Sequence, residues 1–107
     1  MDSPKAFRGL ARLMQDTDLE AALEWARRAV ESQPHQAEGR FLLAQVLWRM
    51  KQSSAALQAV EHAIKLAPDH VEAHFLAHRI HRLLGNPAEA ERTLAKFKRL
   101  RSAYGDF

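Results

Sequence analysis

Residues of the same kind recur along this chain at a fixed offset of 34, and that recurrence constrains its fold more than any other feature. Pro34 and Pro68, Ala29 and Ala63, and Leu23 and Leu57 are so related, as are the trios Phe7, Phe41, Phe75 and Ala22, Ala56, Ala90. A period of this length signals a stacked array of small units, none of which buries its apolar face alone. A chain of 107 residues holds three such units, about the minimum for a stable stack, at approximately 3–36, 37–70 and 71–104. They form a single domain over 1–107, with a short tail at 105–107.

Each unit reads as two helices, because apolar residues return at steps of three and four and the breaks carry capping chemistry. Ser3-Pro4 opens the first helix, which runs to about Met14. Thr17-Asp18-Leu19-Glu20 is a capping box for the second, which Pro34 ends. The third, about Ala37 to Met50, is apolar on several sides, as a central helix should be. Ser53 or Ser54 starts the fourth, stopped by Pro68 after Leu66. Asp69 with Glu72 opens the fifth, which runs to Leu84 before Gly85 in the C-terminal capping position. Asn86-Pro87-Ala88-Glu89 opens the sixth, expected to reach Ala103. There is no strand signal and no linker, so the expected class is all-α.

A helix-turn-helix unit of 34 residues with small residues at fixed places and a closing proline resembles the tetratricopeptide repeat. Ala22, Ala56 and Ala90 occupy the small position that lets the paired helices approach. Ala29 and Ala63 match the second small position, Leu43 an apolar one, Gly85 the turn glycine, and Pro34 and Pro68 the terminal proline. Arg40 and His74 stand where that family prefers tryptophan, His81 where it prefers tyrosine and His78 where it prefers glycine, and the first and third units are divergent. The resemblance implies an α-solenoid of three antiparallel helix pairs in a right-handed superhelix.

It further implies a concave groove lined by the first helix of each unit. The matching positions are Phe7, Ala11 and Met14, then Glu38, Phe41, Gln45 and Trp48, then Glu72, Phe75, Arg79 and Arg82. On that basis Phe7, Met14, Phe41, Gln45, Trp48, Phe75, Arg79 and Arg82 are the candidate partner-binding residues. Rings would supply contact area and arginines would capture a carboxylate on a peptide or helix of another protein. The bland alternative is that the phenylalanines only pack successive helices together. Chaperone-binding members clamp a terminal carboxylate, but the matching places here hold Phe7, Ala11, Leu42, Glu72 and Leu76, which could not make that clamp.

His70, His74, His78 and His81 follow one another at steps of four, four and three, which puts them on one helix face. With no acid or cysteine completing the set, a semi-buried polar face against the last helix is preferred to a metal site, and no metal or cofactor is expected. Charge is uneven: residues 1 to 36 carry five bases and six acids, 37 to 70 four and three, and 71 to 107 seven and four. The sixth helix holds Arg92, Lys96, Lys98, Arg99 and Arg101, yet lacks the interleaved aromatics of a nucleic-acid surface, and cations there complement the helix dipole. Serines in turns, no phosphate loop and no triad of acid, base and nucleophile argue against an enzyme.

No apolar run approaches bilayer-spanning length and no secretion signal opens the chain. The reading is a soluble protein, cytoplasmic by default. Leu94, Phe97, Leu100 and Tyr104 form an apolar strip on the last helix, to be covered by the folded-back tail or, preferably, by a second copy or a further domain. A scaffold or assembly unit acting through such contacts is therefore the alternative to a groove-binding module.

Overall fold

The computed structural model describes residues 3–103. They form six helices: α1 (Pro4–Met14), α2 (Leu19–Ser32), α3 (Ala37–Arg49), α4 (Ser53–Leu66), α5 (Val71–Leu83) and α6 (Pro87–Ala103). No strand occurs among the described residues. No helix of theirs is long and apolar enough to cross a membrane. The tail and Tyr104 lie outside the described residues.

Consecutive helices pack as antiparallel neighbours, and α3 also touches α1 and α5, so α1, α3 and α5 make an inner layer. The outer helices α2, α4 and α6 are kept apart, with no Cα pair between α4 and α6 within 8 Å. Small residues set this arrangement. Ala22 and Ala56 are fully buried and Ala90 nearly so, where the two helices of each hairpin cross. Between hairpins, a Cβ placed on Gly39 would sit 3.6 Å from the backbone of Ala29, so α2 and α3 approach almost to backbone contact. The larger side chains fill what space is left, with Leu42, Val46, Val60 and Ile80 fully enclosed. Each such burial stabilises by roughly 1.5 to 3 kcal/mol.

Helix ends follow the expected boundaries to within a residue, but two caps differ. Asp18, not Thr17, caps α2, its carboxylate accepting the Ala21 N–H at 3.1 Å, while the Thr17 hydroxyl turns back toward the Met14 sulfur. His70, not Asp69, caps α5, its Nδ1 accepting the Ala73 N–H at 3.1 Å. Before each terminal proline the backbone leaves the helical region, at Gln33 (φ −139°, ψ 76°) and Ala67 (φ −141°, ψ 86°), as crowding by the following proline ring favours.

The turns inside the second and third hairpins are built alike. The N–H of Gln52 bonds the Leu47 carbonyl and that of Asn86 the His81 carbonyl, closing each helix with a six-residue loop. The residue before each donor is left-handed: Gly85 at φ 76° and Lys51 at φ 64°. Glycine adopts this conformation freely, whereas a lysine is strained by its Cβ. Lys51→Gly is therefore expected to stabilise the fold by about 0.5 to 1 kcal/mol, read as a raised denaturation midpoint at unchanged slope; a lowered midpoint would disprove the strain.

Candidate functional site

The concave face divides into two halves with different chemistry. Over α1 and the start of α3 it is closed by the protein's own contacts. Phe7 is buried and stacks on Trp25 of α2 at 5.8 Å between ring centroids, and Phe41 is buried against the His70 ring at 4.8 Å. The Gln15 amide donates to Gln45 Oε1 at 2.9 Å, and Arg49 donates to Asp16 at 3.2 Å. Met14 is half-buried at the end of α1.

Charged contacts tie the three units together on this face. Glu38 at the start of α3 accepts from Arg12 of α1 through one oxygen and bonds His70 Nε2 through the other at 3.1 Å. With Nδ1 accepting the Ala73 N–H, a neutral ring keeps its proton on Nε2, which donates to Glu38. The His70 bond, helped by Arg12, draws the Glu38 carboxyl below its ordinary value despite partial burial. The Glu38 carboxylate in turn raises His70, against the opposing effect of burial.

A raised histidine stabilises below its unfolded pKa and loses that contribution as pH rises through the folded value; a depressed carboxyl does the reverse. The pair is therefore strongest between the ordinary values of 4.5 and 6.5. The denaturation free energy of wild type minus that of Glu38→Gln is expected to increase as pH falls from about 8 to about 6, by about 1 kcal/mol for a pair whose carboxylate still meets solvent. A difference that is flat or shrinks over that range would refute the coupling.

The C-terminal half of the face is open. The Arg79 guanidinium lies 5.5 Å from the Trp48 ring centroid and 5.9 Å from that of Phe75, joining α3 to α5. Trp48 is half-buried and Phe75 is 38% exposed, its edge held by Phe97 of α6 at 4.8 Å. Trp48, Arg79, Arg82 and Leu83 line a shallow concavity of about 320 Å³. The aromatic ladder expected from spacing is thus split: Phe7 and Phe41 are taken up by packing between helices, and Trp48 and Phe75 present ring surface. Trp25 and Leu83 were not foreseen. Leu83 is 63% exposed, and its signal in the sequence was an apolar residue 34 places after Arg49.

His74, His78 and His81 share one face of α5, as their spacing requires, but the four rings do not converge on one point. His70 precedes α5 and points to Glu38, His74 Nε2 donates to the Pro68 carbonyl at 2.8 Å, His78 Nδ1 donates to that of Ala90 at 2.8 Å, and His81 Nδ1 accepts from the Asn86 amide at 3.3 Å. Each ring is claimed by a different neighbour because α5 is enclosed by α4 on one side and α6 on the other. Among the described residues no three His, Cys, Asp or Glu side chains are grouped to hold a metal ion. On α6, Leu94, Phe97 and Leu100 are half-buried.

The family model described as anaphase-promoting complex, cyclosome, subunit 3 matches residues 15–97. No curated protein matches the sequence. Among solved structures, the chain is similar to the TPR2B domain of yeast Sti1 in a complex with pHsp70, at 18% identity and a TM-score of 0.89, covering 94% of this chain and 81% of that one. The second TPR of Spaghetti (RPAP3), bound to the HSP90 peptide SRMEEVD, is 16% identical with a TM-score of 0.87, covering 91% of each. A crystal structure of MamA is 18% identical with a TM-score of 0.87, covering 94% of this chain, which spans only 60% of the MamA chain.

Proposed function

Since the chain belongs to the tetratricopeptide-type repeat family of anaphase-promoting complex subunit 3, we propose that it is a non-catalytic protein-interaction module whose concave face holds an acidic peptide segment of a partner. The observation that carries this reading is the Trp48–Arg79–Phe75 stack with Arg82 and Leu83 beside it. The guanidinium of Arg79 lies within cation–π distance of two rings, which restrain it, so little freedom is lost when it meets a carboxylate. Trp48 and Leu83 offer apolar surface to a neighbouring side chain. The structure of similar fold bound to the HSP90 peptide SRMEEVD supports a peptide as the class of ligand. The carboxylate clamp of chaperone-binding repeats is not part of the proposal, because its positions hold apolar or acidic residues.

An array of immobilised peptides alternating glutamate with leucine tests it, beside copies in which glutamine replaces glutamate. Wild type is expected to retain the acidic set, and Arg82→Glu or Trp48→Gln to lose it by about tenfold. Equal retention by the variants, with helix content unchanged, would sink the proposal.

A second reading, self-association through α6, is favoured by one observation: α6 packs on α5 and on no other described helix. Leu94, Phe97 and Leu100 would form the seam. Sedimentation across a concentration series is expected to show a reversible dimer that Leu100→Glu dissociates; one monomeric species at every concentration would remove this reading.

A further inference from the structure

On the face opposite the concave groove, the separation of α4 from α6 leaves a furrow of about 910 Å³. Its floor is formed by α5, through His74, Ala77 and His81, together with Leu43 and Leu47 of α3, and α4 contributes the small Ala55 and Ala59 beside longer side chains. Small residues alone would make only a crease. The two floor histidines, however, are 6% and 5% exposed, and each uses only one ring nitrogen internally. Nε2 of His74 donates to the Pro68 carbonyl, which leaves Nδ1 as an acceptor in the neutral ring. Nδ1 of His81 accepts from Asn86, which leaves Nε2–H as a donor. No buried side-chain nitrogen or oxygen among the described residues lacks a partner, so both remaining nitrogens reach the surface, and the surface that these rings line is the furrow.

From this geometry we infer that the furrow between α4 and α6 is a second peptide-binding site, which takes an extended partner segment with apolar side chains and a carboxylate at one end. An extended chain is favoured over a helix because a helix has already satisfied its backbone, whereas an extended segment brings unpaired N–H and C=O groups. The two histidines are seven residues apart on α5, about 10.5 Å along its axis. A polyproline II segment, rising about 3.1 Å per residue with three residues per turn, presents residues three apart on one side and close to that distance, one accepting from His81 and the other donating to His74.

Charge sets the orientation. At the end near His74 stand Arg40, Lys65 and His62, with Arg40 Nη1 3.5 Å from His62 Nδ1 and Glu61 the one carboxylate at that end. At the end near His81 stands Glu89 of α6. The carboxylate of the bound segment therefore lies toward Arg40 and Lys65. This site shares no residue with the concave groove.

The test is selection of a random displayed-peptide library on the folded chain, followed by affinity measurement of the enriched peptides on variants. Ala55→Trp fills the furrow from an exposed position, Lys65→Glu reverses the charge of its basic end, and Arg82→Glu disables only the concave face. The inference predicts acid-bearing clones that bind Ala55→Trp and Lys65→Glu at least about tenfold more weakly and Arg82→Glu within about twofold of wild type. Their binding should shift the imidazole resonances of both His74 and His81. Clones unaffected by Ala55→Trp, clones that leave both imidazoles unmoved, or no enrichment at all would overturn it. Clones lost on Arg82→Glu but retained on Ala55→Trp would overturn it while leaving the concave reading intact.

Discussion

The structure depends on how closely its helices can approach, which is decided by small residues repeated every 34 positions. Ala22, Ala56 and Ala90 bring the two helices of each hairpin together, and Gly39 against Ala29 brings one hairpin onto the next. Replacing any of these methyls or hydrogens with a branched side chain would force backbone shifts costing roughly 1 to 3 kcal/mol. Since an inner helix takes part in both kinds of contact, α1, α3 and α5 are drawn into one layer and α2, α4 and α6 are spaced outside it. The concave face and the outer furrow are consequences of the same packing rule.

Within that frame, the two halves of the concave face differ because of what α1 supplies. Arg12 and Gln15 reach Glu38 and Gln45, satisfying groups that would otherwise be free to meet a ligand. The matching places on α5 hold Glu72 and Arg79, and Arg79 lies within cation–π distance of two rings. A guanidinium so placed keeps its edge available to a carboxylate while its face is occupied, which suits it to recognition more than to structural pairing.

The helices were legible in the sequence because they are local: periodicity, proline and glycine place their ends from residues a few positions apart. The solenoid was legible because the 34-residue offset reports contacts between units indirectly. What could not be read was the partner each side chain takes from a different unit. Phe7 and Phe75 occupy equivalent places, yet Phe7 is enclosed by Trp25, which has no aromatic counterpart at Ala59 or Thr93. Likewise Asp18 outcompetes Thr17 as a cap because the turn after Met14 directs the threonine hydroxyl to sulfur. The histidines of α5 do share a face, yet their rings take separate partners, because spacing along a helix says where a side chain starts and not which neighbour receives it.

The last hairpin shows how one residue can change the meaning of a position. Ala29 and Ala63 are followed at the same offset by Phe97, so the place where the first two hairpins admit a neighbouring helix is filled in the third by a ring. That ring lies 4.8 Å from Phe75, with the Arg101 guanidinium 6.0 Å from its centroid. A further helix could not approach α6 as closely as α3 approaches α2 without displacing Phe97. Any surface that covers α6 must therefore meet it at a different distance and angle from those inside the stack, using Leu94 and Leu100 on either side of the ring. By holding the edge of Phe75, Phe97 also fixes one wall of the Arg79 stack, so the packing at the end of the array and the chemistry of the open concave half are set by the same side chain.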